Sequence, residues 1–425
     1  MVLCEIMKTD ATIWDVVVIG GGPAGMMAAG RAAERGGKIL LLEKNTSLGK
    51  KLLITGGGRC NVTNAEMNTR VLLSKFKDND KFLFSPFSKY GVAETLEFFH
   101  SRGMATKVEA LKRAFPQSNS AQSVWDVLVA YMKFGGITIK SNSPIDSMQS
   151  NGDSIISVRT KSNEEIFARQ FILATGGKSR PETGSTGDGF TFLKSLGHTV
   201  SEPEASLVPL EIKDSWVKKL QGITLPEVKI TILQNNEKQG SKIGKVLFTH
   251  FGITGPTILN MSKDIGELLK YGEVIISLDI LPRLDHGMVN SKLQEIFTTE
   301  ANKKLKNSLG SVVPSALVPI LIDRLGINPD DKCNRVSRVQ RLHLIELLKN
   351  LSMEVVKLLG VEKAVITSGG VALDEIDFKT MQSKLFPNLW IIGDLLNIDR
   401  PSGGYSLQLC WTTGYVAGDS VTLST

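Results

Sequence analysis

Two short apolar runs near the start of the chain, residues 16–19 and 39–42, bracket an Ala-rich segment that reads as helix to about Arg35. Short apolar runs bounded by turn residues predict buried strands. This stretch therefore predicts strand, turn, helix, strand. Farther on, residues 136–139 predict a short strand, and residues 143–148 alternate before turning back through Asn151-Gly152-Asp153 as a hairpin. Residues 168–174 predict a buried strand that stops at Thr175-Gly176-Gly177. Residues 190–196 then predict a helix, with Thr186 or Asp188 as its cap.

The pattern changes near His198. Residues 227–233, 245–249 and 274–278 read as strands separated by turns, and residues 285–350 read as helix with Lys-rich faces. Strand-and-glycine text returns at Ala364, continues through residues 389–392, and reaches Ser402-Gly403-Gly404-Tyr405, which opens a last helix. The middle of the chain is thus predicted as an insertion, with both ends building one domain.

The first strand ends in Gly20-Gly21-Gly22-Pro23-Ala24-Gly25, and each glycine there has a separate task. Gly20 permits the turn out of the strand, Gly22 lets backbone N–H groups approach a pyrophosphate, and Gly25 lets the helix lie close on the sheet. The helix N-terminus presents unpaired donors and a partial positive charge to the phosphates. Glu43 follows Gly25 by 18 residues, at the end of the second strand. A carboxylate there accepts the ribose hydroxyls of an adenosine, and argues against a 2′-phosphate on that nucleotide.

Bulk properties set the remaining bounds. A chain of 425 residues accommodates two or three domains. No apolar run reaches the roughly 18 residues of a membrane span, and the N-terminal segment, with its acids and no long apolar core, is not read as a signal peptide; Met7 is an alternative start. Cys4, Cys60, Cys333 and Cys410 lie far apart, which fits a cytoplasmic location and argues against a redox-active disulfide. The net charge of +7 is spread thinly and reads mainly as a solvated basic surface. No nucleic-acid motif, membrane partner or metal site is expected, and the oligomeric state is left open.

A second cluster follows Glu43. Residues 44–64 include Leu52-Leu53-Ile54 and the run Gly56-Gly57-Gly58-Arg59-Cys60-Asn61, predicted as a loop wrapped against the cofactor, with Arg59 on phosphate or ring and Asn61 as a polar contact. Cys60 reads as a small packing residue. The strand ending at Thr175-Gly176 delivers backbone to the carboxyl edge of the sheet, where ligands of α/β folds bind. At the other end, Gly393-Asp394 places a carboxylate at the same edge, and Gly403-Gly404-Tyr405 opens a second helix N-terminus that faces charge developing on a reduced flavin ring. Two such helix ends suit FAD better than NAD.

Taken in order, DVVVIGGGPAGMMAA, KKLLITGGGRCNVTN, FILATGGKSRPETGSTGDGF, LFTHFGITGPTILNMS, AVITSGGVALDEID and GDLLNIDRPSGGYSLQLCWTTG resemble the BaiN/YhiN-type flavoproteins, NAD(P)/FAD-dependent oxidoreductases of the glutathione reductase-like superfamily. The resemblance spans nearly the whole chain. It implies an α/β fold: a Rossmann-like FAD/NAD(P)-binding domain with a parallel sheet (1–196 and 364–425), an inserted β-barrel-like subdomain (197–284) and an inserted helical subdomain (285–363). It also implies that residues 20–25 hold the pyrophosphate, Glu43 the ribose, Ile145 the adenine through its backbone, and Asp394, Gly404 and Tyr405 the ribityl and isoalloxazine end. The cofactor-binding set is therefore Gly20, Gly22, Pro23, Ala24, Gly25, Glu43, Lys44, Gly58, Arg59, Cys60, Asn61, Ile145, Thr175, Gly176, Gly393, Asp394, Gly403, Gly404 and Tyr405.

The chain departs from that family's pattern at Asp394 (usually Glu), Asn397 (Asp), Arg400 (Gly) and Ser406 (Asn), and Lys178 and Arg180 replace a less charged pair. Altered substrate choice, with flavin retained, is the expected consequence. The implied activity passes hydride from NAD(P)H, bound transiently since no second GxGxxG is present, through flavin to a small enone-like acceptor between the FAD and inserted domains. His250 is the candidate proton donor; His100, His198, His286 and His343 have weaker claims. The alternatives are a flavin oxidase or hydroxylase, and a non-catalytic flavin-binding or RNA-modification-related protein.

Overall fold

A computed structural model describes residues 12–360, 362–364 and 366–423. The readings made for Cys4, Met7 and the N-terminal segment lie outside these residues. The chain divides into two compact units, one running to Ala205 and resuming at Ala364, the other Ser206–Lys363.

The first unit is organised by a seven-stranded sheet. Strands Thr138–Lys140, Ile39–Leu42, Ile13–Ile19, Glu165–Leu173 and Leu389–Ile391 run parallel in that order. Residues 16–18 and Leu41 are wholly buried, as strands covered by helices on both faces require. The hairpin Ile145–Ser150 and Ile155–Thr160 adds an antiparallel flank to the first half of Glu165–Leu173. Parallel strands end at a common edge, so Gly20, Glu43, Thr175 and Gly393 arrive together there.

Helix Pro23–Glu34 crosses from the first strand to the second. Gly25 is glycine because a Cβ would sit 1.9 Å from the Gly20 carbonyl oxygen. The last helix, Tyr405–Ser420, lies against this one. At Gly414 and Gly418 a Cβ would approach the carbonyl oxygens of Ala24 and Ala28 to 2.5 and 2.4 Å. Arg31 pairs with Asp419 at 2.7 Å beside that seam. The two ends of the chain thus share one core, which includes Val17, Met27, Phe171, Ile391 and Trp411.

In the second unit, six antiparallel strands close a barrel in the order Leu210–Ile212, Gly252–Thr254, Glu237–Phe248, Thr224–Gln234, Val274–Asp279, Leu351–Leu358. The predicted runs 227–233 and 274–278 fall within Thr224–Gln234 and Val274–Asp279, with Val228, Ile230 and Ile232 buried at period two, whereas 245–249 covers only the end of Glu237–Phe248. The alternation gives no strand for Leu210–Ile212, Gly252–Thr254 or Leu351–Leu358, and the last of these closes the ring. Helices His286–Thr299, Val318–Leu325 and Arg338–Lys349 contribute Leu293, Leu321 and Leu344 to the same core as barrel residues Ile230, Phe248 and Met353.

Candidate cofactor site

A cleft opens at the carboxyl edge of the first unit's sheet. It is lined by Gly20, Gly22, Pro23 and Ala24 from the first turn, Glu43 and Lys44 after the second strand, Thr175 and Gly176 after the strand Glu165–Leu173, and Gly393 and Asp394 after Leu389–Ile391. Ile145 lines it as well. The predicted residues from five chain segments therefore converge.

Glu43 is 7% exposed. Its Oε2 accepts the Gly21 N–H at 2.8 Å, and its Oε1 accepts the Asn45 backbone N–H at 2.8 Å and the Asn45 side-chain amide at 2.7 Å. The carboxylate therefore ties the glycine turn to the strand end and keeps part of its acceptor capacity for a ligand. At the turn itself, a Cβ on Gly22 would have no protein atom within 4 Å, so protein packing does not account for the glycine. Thr175 Oγ1, in the cleft wall, is buried without a hydrogen-bond partner. A bare backbone cradle at a helix N-terminus and a carboxylate at the neighbouring strand end fit an adenine dinucleotide.

Lys44 reaches across the rim. Its ammonium donates to Thr186 Oγ1 and, at 2.8 Å, to Asp188. Burial works against ionisation of Asp188, but Lys44 and Thr186 hold its carboxyl below the ordinary range. The sequence predicts Thr186 or Asp188 as the cap of the helix Asp188–Ser195, but neither caps it; Gly187 stands at the cap position with φ 86° and no side chain caps it. The next residue, Asn45, donates to the Thr183 carbonyl at 3.1 Å.

Elsewhere on the cleft wall, Asp394 is held between two cations. Arg400, whose side chain is wholly buried, pairs with Asp394 Oδ1 and also donates to Ser406 Oγ at 3.0 Å and to the Ile398 carbonyl at 2.8 Å. Lys51 lies 3.5 Å from Asp394 Oδ2 and donates to Ser179 Oγ at 2.6 Å. Burial disfavours the Asp394 carboxylate, but Arg400 and Lys51 hold its pKa below the ordinary value. Three of the positions at which the chain departs from the resembled pattern, Asp394, Arg400 and Ser406, thus form one contact set.

Several predicted residues lie elsewhere. Gly25 does not line the cleft and serves the helix-sheet contact described above. Gly58, Arg59, Cys60 and Asn61 are not among the lining residues. The segment is not all loop: residues Lys50–Ile54 form a short helix, and it is Lys50, Lys51, Leu52 and Thr55 that face the cleft. Gly56, Gly57 and Gly58 are exposed with φ of 57°, 68° and 85°, so their glycines serve a left-handed turn. Arg59 pairs with Glu109 and stacks on Phe115 at 4.2 Å. Cys60 is fully buried, and desolvation pushes its thiol up to about 12, consistent with a packing role.

Gly403, Gly404 and Tyr405 also miss the cleft wall. A Cβ on Gly404 would lie 2.3 Å from the Thr63 backbone, and Tyr405 packs edge-on against Phe76. The last helix instead contributes Ser406, Leu407 and Cys410. Burial raises the Cys410 thiol to about 12, so it is a neutral wall group. His250 lies in the second unit, exposed between two barrel strands and edge-on to Phe251.

One further constellation looks catalytic in outline. Ser383 Oγ is 3.0 Å from His198 Nε2, and His198 Nδ1 is 2.7 Å from Glu375. Ser383 is 3% exposed, however, and its oxygen accepts the Leu385 and Phe386 N–H groups. It is a buried clamp joining three segments. Among the described residues no cluster of metal-ligating side chains occurs, and no helix is long and apolar enough to cross a membrane.

A glycine-turn cleft at the edge of a parallel sheet, in a domain whose two chain segments are interrupted in sequence by a barrel-containing unit, places the protein in the class of FAD-dependent oxidoreductases. The chain belongs to the HI0933-like protein Rossmann domain family, which it matches over residues 14–420. It is 29% identical over 408 residues to the 3-dehydro-bile acid delta(4,6)-reductase of Clostridium scindens, covering 94% of this chain and 97% of that protein. It is 28% identical over 415 residues to the ribosomal RNA dihydrouridine synthase of Escherichia coli, covering 96% and 98%. The fold is shared with 3-ketosteroid-delta4-(5alpha)-dehydrogenase from Rhodococcus jostii RHA1, at a TM-score of 0.54 and 13% identity over 97% of this chain and 98% of that one. Lys51 escapes sequence reading because its partners Ser179 and Asp394 are distant in the chain, and Asn45 because its role appears only once Glu43 and Thr183 are brought beside it.

Proposed function

We propose that this protein is a flavin-dependent reductase of a carbon–carbon double bond conjugated to a carbonyl, with NAD(P)H as a transient electron donor. The observation that carries the proposal is the cleft, in which the glycine turn, Glu43 and the Lys51–Asp394–Arg400 group stand along one sheet edge. Bound FAD would supply hydride transfer between donor and acceptor. The residues around it bind and orient: Gly20, Gly22, Pro23 and Ala24 hold the diphosphate, Glu43 the ribose, and the segment at Gly393 and Asp394 the ribityl and ring end. Apolar Leu407, Ile366 and Phe192 exclude water from the cleft wall.

The two curated relatives support the reaction class, because a delta(4,6)-reductase and a dihydrouridine synthase both saturate such a bond. A small enone-like acid is the leading substrate class. A uracil base in RNA is the second reading, favoured by the synthase relative and by the net charge of +7. Anaerobic stopped-flow decides between these. NADH or NADPH should bleach the flavin absorption, and a conjugated enone should restore it. Bleaching by neither nicotinamide, with success of an amine or hydroxy acid, overturns the reductase proposal in favour of an oxidase. Recovery by uridine-containing rRNA alone transfers it to the second reading.

A further inference from the structure

The first turn of the last helix was the natural sequence candidate for stabilising charge at the flavin ring, but Gly403, Gly404 and Tyr405 lie outside the cleft wall. The charges that do stand at that end are Lys50, Lys51 and Asp394, with Arg400 directly behind. Arg400 is fully engaged by Asp394, Ser406 and the Ile398 carbonyl. Three cations, Lys50, Lys51 and Arg400, thus stand against one carboxylate, so the group carries surplus positive charge, and Lys51 is the cation on the cleft wall that Asp394 and Ser179 fix in place. Lys51 is held in place by Ser179 at 2.6 Å, with its side chain only 23% exposed. A charge that shielded is weakly screened by solvent, and its effect on a neighbouring charge exceeds that of a surface lysine.

We propose that Lys51 is a positioning and tuning residue whose surplus positive charge sets the reduction potential of the flavin. This rests on the FAD reading above. Uptake of a hydride, two electrons and one proton, leaves a ring at that end of the cleft one negative charge richer. A fixed ammonium favours that charge without reorganisation. Asp394 and Arg400 have a different part, since their mutual pairing fixes the place at which Lys51 docks.

The test uses the FAD-loaded protein and two readouts independent of turnover, the dye-equilibrated potential and the affinity of the oxidised flavin for sulfite, which also deposits negative charge on the ring. Lys51→Met should weaken sulfite binding by about tenfold or more and lower the potential by about 30 mV, the shift of a tenfold change for a two-electron couple. Lys51→Arg, which keeps the charge, should restore both. Unchanged potential and sulfite affinity in flavin-loaded Lys51→Met overturn the inference and leave the FAD reading intact. Should Lys51→Met fail to retain flavin, wild-type protein that binds no sulfite overturns it equally. Wild-type protein that takes up no FAD sinks the reading beneath it.

Discussion

Replacing Glu43 with alanine tests the cleft at its most connected carboxylate. The substitution removes three accepted hydrogen bonds, from the Gly21 N–H, the Asn45 N–H and the Asn45 side-chain amide, at a site 7% exposed. A buried donor left without a partner costs about 1–3 kcal/mol. Asn45 is half-buried and can turn to water, whereas the Gly21 N–H sits on the turn that cradles the diphosphate. We therefore assign at least one such penalty to the cofactor equilibrium, a loss of FAD affinity of about 5- to 150-fold. Glu43→Gln separates two contributions, because its amide oxygen still accepts while its NH₂ opposes the Gly21 N–H. Its affinity should lie between those of the wild type and Glu43→Ala. The assay is titration of the flavin-free protein with FAD, followed by flavin fluorescence, with thermal unfolding measured in parallel. Wild-type FAD affinity in Glu43→Ala would refute the reasoning, and lost stability with affinity intact would confine Glu43 to the fold.

Three other expectations follow from the same contacts. Gly418→Ala places a methyl where 2.4 Å separates it from the Ala28 carbonyl, and should destabilise the first unit by about 1–3 kcal/mol in denaturant unfolding; no change would mean the two terminal helices are not closely packed in solution. Asp394→Asn leaves Arg400 buried without its counter-charge and should cost roughly 3–5 kcal/mol at neutral pH. Because the folded-state pKa of Asp394 is depressed, the wild-type contribution is present above the ordinary carboxylate range and is lost as pH falls below it. The variant should therefore show a flatter acid limb, and identical limbs would deny the pairing. Finally, burial raises the thiols of Cys60 and Cys410 to about 12, so neutral-pH alkylation should modify neither before unfolding, as peptide mapping would show.

Much of the cofactor end was legible because it is written in local text. A strand, a glycine turn, a helix and an acid at fixed spacing specify one βαβ unit, and short-range sterics leave few other uses for Gly20 and Gly25. The pairing of residues 16–19 with 39–42 in the structure follows from that unit. Several glycines predicted to serve the cofactor lie outside the cleft lining, at positions where backbone conformation or packing also calls for glycine. Gly56, Gly57 and Gly58 turn left-handed at the surface, and Gly404 makes room for Thr63 and Asn64. Sequence alone cannot tell these causes apart, since both demand the absence of a side chain.

By itself the sequence determined the α/β class, the dinucleotide turn, the acid after the second strand and the interruption of one domain by another segment. These depend on periodicity and on spacing within a few tens of residues, which the chain carries wherever it lies. Only the tertiary structure decided that residues 351–358 close the barrel, that Lys44 clasps Asp188, and that Lys51 and Arg400 meet at Asp394. Except for Arg400 and Asp394, which are six residues apart, those pairings join residues far apart along the chain. Their partners are chosen by the shape of the packed core and the need to neutralise buried charge, which no local pattern encodes.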